Sequence, residues 1–231
     1  MRNNSHRIKI ALIWEQIEYG GVDSYLSYLL NNWTNEDHIT CYFNRENKGA
    51  LRLRDELINN KSIRFKEMNT VFKHIENKNF FYRVLKLFNF FIIPFLFLLS
   101  IYRYKQLLKN GKYDVLLAQN GGYPGSYGVI SSIFAAKLLK IKVRLMVVHH
   151  AAVKSEIFTG WYRLLIDRYL SNHLNKIICV SNATKNTVIN FTRILDDQKC
   201  KAHVIHNGIE LENFRFYPKM RNLKINMLIL S

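Results

Sequence analysis

Two adjacent histidines, His149 and His150, close an apolar run from Val143 to Val148. An imidazole offers one donor and one acceptor nitrogen, and its charge changes closest to neutral pH. Strand side chains alternate, so the two rings diverge, and one of them is expected to face a cleft. Capping the strand end is the other reading. The same divergence disfavours a metal pair, and no carboxylate or cysteine cluster accompanies them, so no metal is expected. Gly20-Gly21 precedes a helical pattern. Two glycines there let a ligand approach the backbone, and the helix start offers unpaired N–H groups to an anion. A plain β–α turn uses the same residues. The segment has neither the Gly-x-Gly-x-x-Gly fingerprint nor the Gly-Lys-Ser/Thr end of a P-loop, which disfavours nicotinamide-dependent and NTPase chemistry. In Gln119-Asn120-Gly121-Gly122-Tyr123-Pro124 the amides and the ring suit sugar hydroxyls and ring faces, with Asn120 and Tyr123 as the candidate contacts and a tight structural turn as the alternative. Ser181 stands before the helical stretch Ala183–Asn190, where its hydroxyl either caps the helix or meets a phosphate. Asn207-Gly208 after Val204-Ile205 is a strong turn signal.

These residues need a frame that collects them. Apolar strand-like runs at 8–14, 39–43, 63–65, 113–118, 143–148, 177–180 and 203–205 alternate with helical patterns at 22–31, 50–59, 125–139, 158–174 and 183–190. Alternation of this kind predicts an α/β, doubly wound, mostly parallel sheet with function at the carboxyl ends of its strands. Each candidate above lies at such an end. Phe216-Tyr217-Pro218-Lys219 reads as an interdomain connection, and Lys224–Leu230 as the first strand of a further unit.

The chain has 231 residues, 48% hydrophobic, which is enough for one sizeable core. Its 34 Lys and Arg against 17 Asp and Glu give a formal charge of +17, a field that attracts anionic lipid, phosphorylated ligands or nucleic acid. Nucleic-acid binding has only this charge in its favour, since no helix-turn-helix, RNP-type strand pair or zinc-finger spacing is present. Cys41, Cys179 and Cys200 are widely separated, which fits a reducing compartment better than a disulfide framework. The basic N-terminus leads into an apolar run too short for a secretory signal. A cytoplasmic location follows as the expectation.

Leu87–Tyr102, LFNFFIIPFLFLLSIY, is apolar apart from Asn89 and Ser100 and has Pro94 at its centre. It falls short of the roughly 20 residues that span a bilayer, and proline would kink a helix there. Arg83, Lys86, Arg103, Lys105 and Lys109 flank it, so it reads as an interfacial helix at an anionic membrane surface through Phe91, Phe95, Leu98, Arg103 and Lys105. A helix buried on the sheet, or a true span, are the alternatives.

Cys179-Val180-Ser181-Asn182-Ala183-Thr184-Lys185 and Val204-Ile205-His206-Asn207-Gly208-Ile209-Glu210 resemble the paired strand-and-turn motifs that end the first domain of retaining glycosyltransferases of family 4. Glu210 replaces the usual Asp, and His206 stands where Pro is common. Gly20-Gly21-Val22 before a helix is similar to that family's opening loop. The resemblance covers residues 8–214 and implies the first of two Rossmann-like domains that face each other across a cleft (the GT-B fold). It places residues 1–214 in an acceptor-side domain and 215–231 in a linker and the first strand of a donor-binding domain.

It also implies transfer of a sugar from a nucleotide-sugar, as co-substrate, to a glycan or lipid-linked acceptor in surface polysaccharide or glycolipid synthesis. Gly20, Gly21, Ser181, Asn207 and Gly208 would lie near donor phosphate or acceptor. Asn120 and Tyr123 would lie near the acceptor. One of His149 and His150 would bear on the transferred sugar. On this reading the chain is inactive alone, a second chain supplies the donor domain, and the inner membrane face is the workplace. A non-catalytic membrane-binding module of the same fold is the alternative.

Overall fold

The computed structural model describes residues 7–17, 19–33, 36–57, 60, 62–70, 80–154, 160–195 and 201–208, and of residues 80–92 and 160–161 the backbone alone. The 215–231 linker, Ile209, Glu210 and Cys200 lie outside the described residues, as does the side chain of Phe91.

In chain order the elements are β1 (Lys9–Trp14), α1 (Gly21–Asn31), β2 (His38–Asn44), α2 (Lys48–Glu56), β3 (Ile63–Met68), α3 (Phe80–Leu108), β4 (Val115–Asn120), α4 (Tyr127–Leu138), β5 (Val143–Val148), α5 (Gly160–His173), β6 (Lys176–Cys179), α6 (Asn182–Phe191) and β7 (Lys201–Val204). The strands form a single sheet in the order β3-β2-β1-β4-β5-β6-β7, and every neighbouring pair is parallel. The expected doubly wound α/β architecture is present.

Helices cover both faces of the sheet, which is why the central strand reads as the unbroken apolar run Ile10–Trp14, buried throughout. On one face α1 buries Val22, Leu26 and Leu30, spaced four apart, together with Leu53 of α2, against Leu12, Trp14, Phe43 and Leu117. On the other, Phe97 and Tyr104 of α3, Ile130 and Ile133 of α4, and Ile166 and Leu170 of α5 pack on Ile13, Leu116, Ala118 and Met146. Each such side chain contributes roughly 1.5–3 kcal/mol when removed from water. The change of helix face falls between β1 and β4, where successive connections leave the sheet in opposite directions. In an open α/β sheet that is the crevice where ligands bind.

Two elements differ from the sequence reading. The strand read at 113–118 is β4 at 115–120, because Lys112 takes a positive φ of 47° and the turn is held by Asp114, whose Oδ2 accepts from Lys9 N at 3.0 Å. Gln119 and Asn120 therefore end a strand and do not open a loop. Helix α3 extends well beyond the apolar stretch and runs through Pro94 as one helix of 29 residues. Among the described residues no helix is long and apolar enough to cross a membrane.

Candidate functional site

At the β1/β4 crevice, period-two alternation sorts the strand ends. Trp14 and Gln119 are register partners that turn to the α1 face, whereas Ala118 and Asn120 turn to the α4 face. His149 follows β5 on the α1 side. It is 8% exposed, its Nε2 lies 2.9 Å from Gln119 Oε1, and the Tyr25 ring of α1 meets it edge-on at 4.9 Å. Burial, reinforced by the neighbouring His150, lowers its pKa to about 4, so the imidazole is neutral at physiological pH. His150 is exposed beside Gly122. The pair diverges as strand geometry requires, and His149 is the inward member.

The β1–α1 loop leads into the helix that carries Tyr25. The Asp23 carboxylate, three residues into α1, accepts from Gly20 N at 2.5 Å and Gln16 Nε2 at 3.2 Å through Oδ2, and from Asn47 Nδ2 at 3.1 Å through Oδ1. Asn47 in turn caps α2 by accepting from Ala50 N at 3.0 Å and donates to Gln16 O at 2.9 Å. The loop is thus stitched to two helix starts. The N–H of Gly20 is committed to Asp23 and is not offered to a ligand, which corrects its expected role. Gly21 is exposed with open space where a Cβ would stand, and it keeps the expected accessibility. Asp23 has its pKa raised, chiefly by burial. Beside the loop a groove of about 230 Å³ opens between α1 and α2, lined by Tyr19, Ser24, Tyr28 and Arg52 with Gly49 at its floor.

Across the sheet, the Glu15 carboxylate lies under the start of α4. Ser126 Oγ donates to its Oε2 and Thr70 Oγ1 to its Oε1 at 2.6 Å. A Cβ at Gly128 would stand 2.0 Å from Oε2 and 2.2 Å from Oε1, so glycine is what admits the carboxylate. Burial, the largest influence, raises the Glu15 pKa above its ordinary value despite these donors.

Asn120 and Tyr123, expected to meet an acceptor, are fully enclosed at 0% and 1% exposure. Asn120 donates to Pro124 O at 3.0 Å and accepts from Ser126 N at 3.1 Å, so both ends of its amide build the turn. The Tyr123 hydroxyl donates to Asp167, and the Arg163 guanidinium lies 5.2 Å over its ring. As placed, both shape the loop and present no free polar atom to a sugar.

Ser181 caps α6, accepting from Thr184 N at 3.1 Å, which is the first of the two roles foreseen for it. Asn207 and Gly208 are exposed beyond the end of β7, where Ile205 N is bonded to Cys179 O at 3.0 Å. Phe95, Leu98, Arg103 and Lys105 are exposed on α3, whereas Phe97, Ser100 and Tyr104 point inward.

Sequence reasoning missed Glu15, Gly128, Gln119 and Asp23. Only Asp23 carried a local signal, an acid in the first turn after the presumed helix cap.

The sequence model of Glycosyltransferase Family 4 matches residues 19–213. No curated protein matches the chain. Similar solved structures include MurG from Acinetobacter baumannii, 14% identical with a TM-score of 0.43, covering 76% of this chain and 42% of that one. The UDP-GlcNAc 2-epimerase of Methanocaldococcus jannaschii is 15% identical with a TM-score of 0.46, covering 87% and 46%. That of Neisseria meningitidis, bound to UDP-GlcNAc, is 12% identical with a TM-score of 0.45, covering 84% and 45%. The chain spans less than half the length of each of these structures. The matched span begins at the β1–α1 loop, takes in both histidines and runs past β7, and on it the chain belongs to glycosyltransferase family 4.

Proposed function

We propose that this chain is the acceptor-side domain of a glycosyltransferase that works against an anionic membrane surface. In this reading a sugar passes from a nucleotide-sugar co-substrate to a glycan or lipid-linked acceptor, in surface polysaccharide or glycolipid synthesis at the inner face of the cell membrane. No metal and no nucleic acid enter the reading. Catalysis is positional and electrostatic: the domain holds the acceptor hydroxyl near the donor carbon while charge grows on the departing diphosphate. Neutral His149 at the β5 end suits a hydrogen bond to a sugar.

One observation carries the proposal. Phe95, Leu98 and Tyr102 of α3 are 67%, 65% and 60% exposed at positions i, i+3 and i+7, so they form one stripe along the helix. Arg103, Lys105 and Lys109 are exposed at the end of that stripe, on a chain of charge +17. Large apolar side chains in a row beside cations match the boundary between acyl chains and anionic head groups. Three such cations contribute about 3 kcal/mol at an anionic surface, at about 1 kcal/mol each, and the stripe adds its buried area.

Flotation with vesicles of phosphatidylglycerol and phosphatidylcholine tests this. The chain is expected to float with them, and to lose most of that binding when Phe95 and Leu98 are both changed to Ser or when phosphatidylglycerol is omitted. Wild-type protein that stays at the bottom of the gradient with anionic vesicles overturns the membrane assignment.

A further inference from the structure

The bond between Gln119 and His149 has a chemical sense. A side-chain amide oxygen only accepts, so Oε1 at 2.9 Å requires the proton of the ring to sit on Nε2. The ring is buried against the aromatic edge of Tyr25, with no carboxylate bonded to it among the described residues, so it carries one proton. Nδ1 is then a lone pair, and it has no partner among the described residues. Two N–H groups nearby are also unanswered: the Gln119 Nε2 amide and the indole Nε1 of its register partner Trp14, both enclosed without an acceptor.

We propose that Gln119 is a positioning residue that locks His149 as the neutral Nε2–H tautomer, so that the ring offers only an acceptor nitrogen and selects a sugar hydroxyl, not a phosphate oxygen, at this point of the crevice. A hydroxyl both gives and takes hydrogen bonds. It donates to Nδ1, whereas an ionised phosphate oxygen meets the Nδ1 lone pair with another lone pair. Gln119 lies in β4 and His149 directly follows β5, so the pair also fixes the ring plane against the β4–β5 ladder, beside which His149 N donates to Asn120 O at 3.1 Å. The inference rests on the proposed reading that a sugar binds at this edge of the sheet.

The test is long-range ¹H–¹⁵N spectroscopy of the whole chain labelled at histidine nitrogen, at neutral pH and without ligand. His149 is expected to show a single tautomer with the proton on Nε2. Gln119→Leu should lose that single-tautomer signature and give a mixture, and Gln119→Glu should yield a ring protonated at both nitrogens, each variant keeping the far-ultraviolet circular dichroism of the parent. Inorganic phosphate is expected to leave the Nδ1 resonance in place. A wild-type ring protonated at Nδ1, an unchanged tautomer in a folded Gln119→Leu, or a phosphate-dependent shift at Nδ1 each overturns the proposal. Should Gln119→Leu not fold, the wild-type and Gln119→Glu spectra decide. The spectra are read on free protein, so they succeed or fail independently of vesicle binding.

Discussion

Gly128→Ala sets two effects of opposite sign against each other. In the first turn of a helix, alanine exceeds glycine in propensity by about 0.8–1 kcal/mol, and on that ground alone the variant should be more stable. The new methyl, however, would stand 2.0, 2.2 and 2.3 Å from Oε2, Oε1 and Cδ of Glu15. A clash with the tip of a flexible side chain is cheap where that tip can swing away. Here it cannot, because Ser126 and Thr70 both donate to the carboxylate and the surrounding core leaves Glu15 only 6% exposed. Displacing it breaks two buried hydrogen bonds, at about 1–3 kcal/mol each when their groups are left unpaired, so after the propensity gain the net loss is about 1–5 kcal/mol. Urea unfolding followed by circular dichroism measures this directly. The double variant adds a sign test: with Glu15→Ala in the background, Gly128→Ala should become neutral or stabilising, giving a large favourable coupling. A single Gly128→Ala variant as stable as the parent, or more so, would show that the carboxylate moves freely and would refute the account of how α4 begins.

Two further outcomes follow from local geometry. Ser181→Ala removes the cap on α6 and should cost about 1 kcal/mol in urea unfolding, and a loss of a few tenths or less would mean that the cap is not what holds the helix start. His149 has its pKa lowered to about 4, so the folded chain takes up its proton later than the unfolded one as pH falls. Its contribution is complete above the ordinary value near 6.5 and is lost as pH drops from there towards 4, with a slope of at most about 1.4 kcal/mol per pH unit. His149→Gln should flatten that part of the stability profile, and an unchanged slope would remove burial as the reason the ring stays neutral.

The fold was legible because its strands are enclosed on both faces and its helices on one, and these leave different periods in the sequence. Ile10–Trp14 and Val22, Leu26, Leu30 are clear instances. Boundaries were less legible where polar residues end a central strand: Gln119 and Asn120 read as loop, yet β4 has partners on both sides and its ladder continues through them. The site divides in the same way. His149, His150 and Gly21 stand at strand ends and helix starts, which local pattern reveals. Glu15 and Gly128 become neighbours only when two strands and a helix from distant parts of the chain assemble; Glu15 and its donor Ser126 are 111 residues apart. No local spacing records such a contact. For Asn120 and Tyr123 residue type was suggestive and burial decided against it, since an amide and a phenol serve equally well to brace a turn.

Every helix that follows a strand of this parallel sheet begins at the carboxyl edge, with the positive end of its dipole. At α4 that end is met by the buried carboxyl of Glu15, the residue that follows β1. The α1 start is met in the same way by Asp23, and the α6 start is capped by Ser181. The buried Glu15 carboxyl thereby seals one helix start from inside, so that the first turn of α4 is answered by the protein itself.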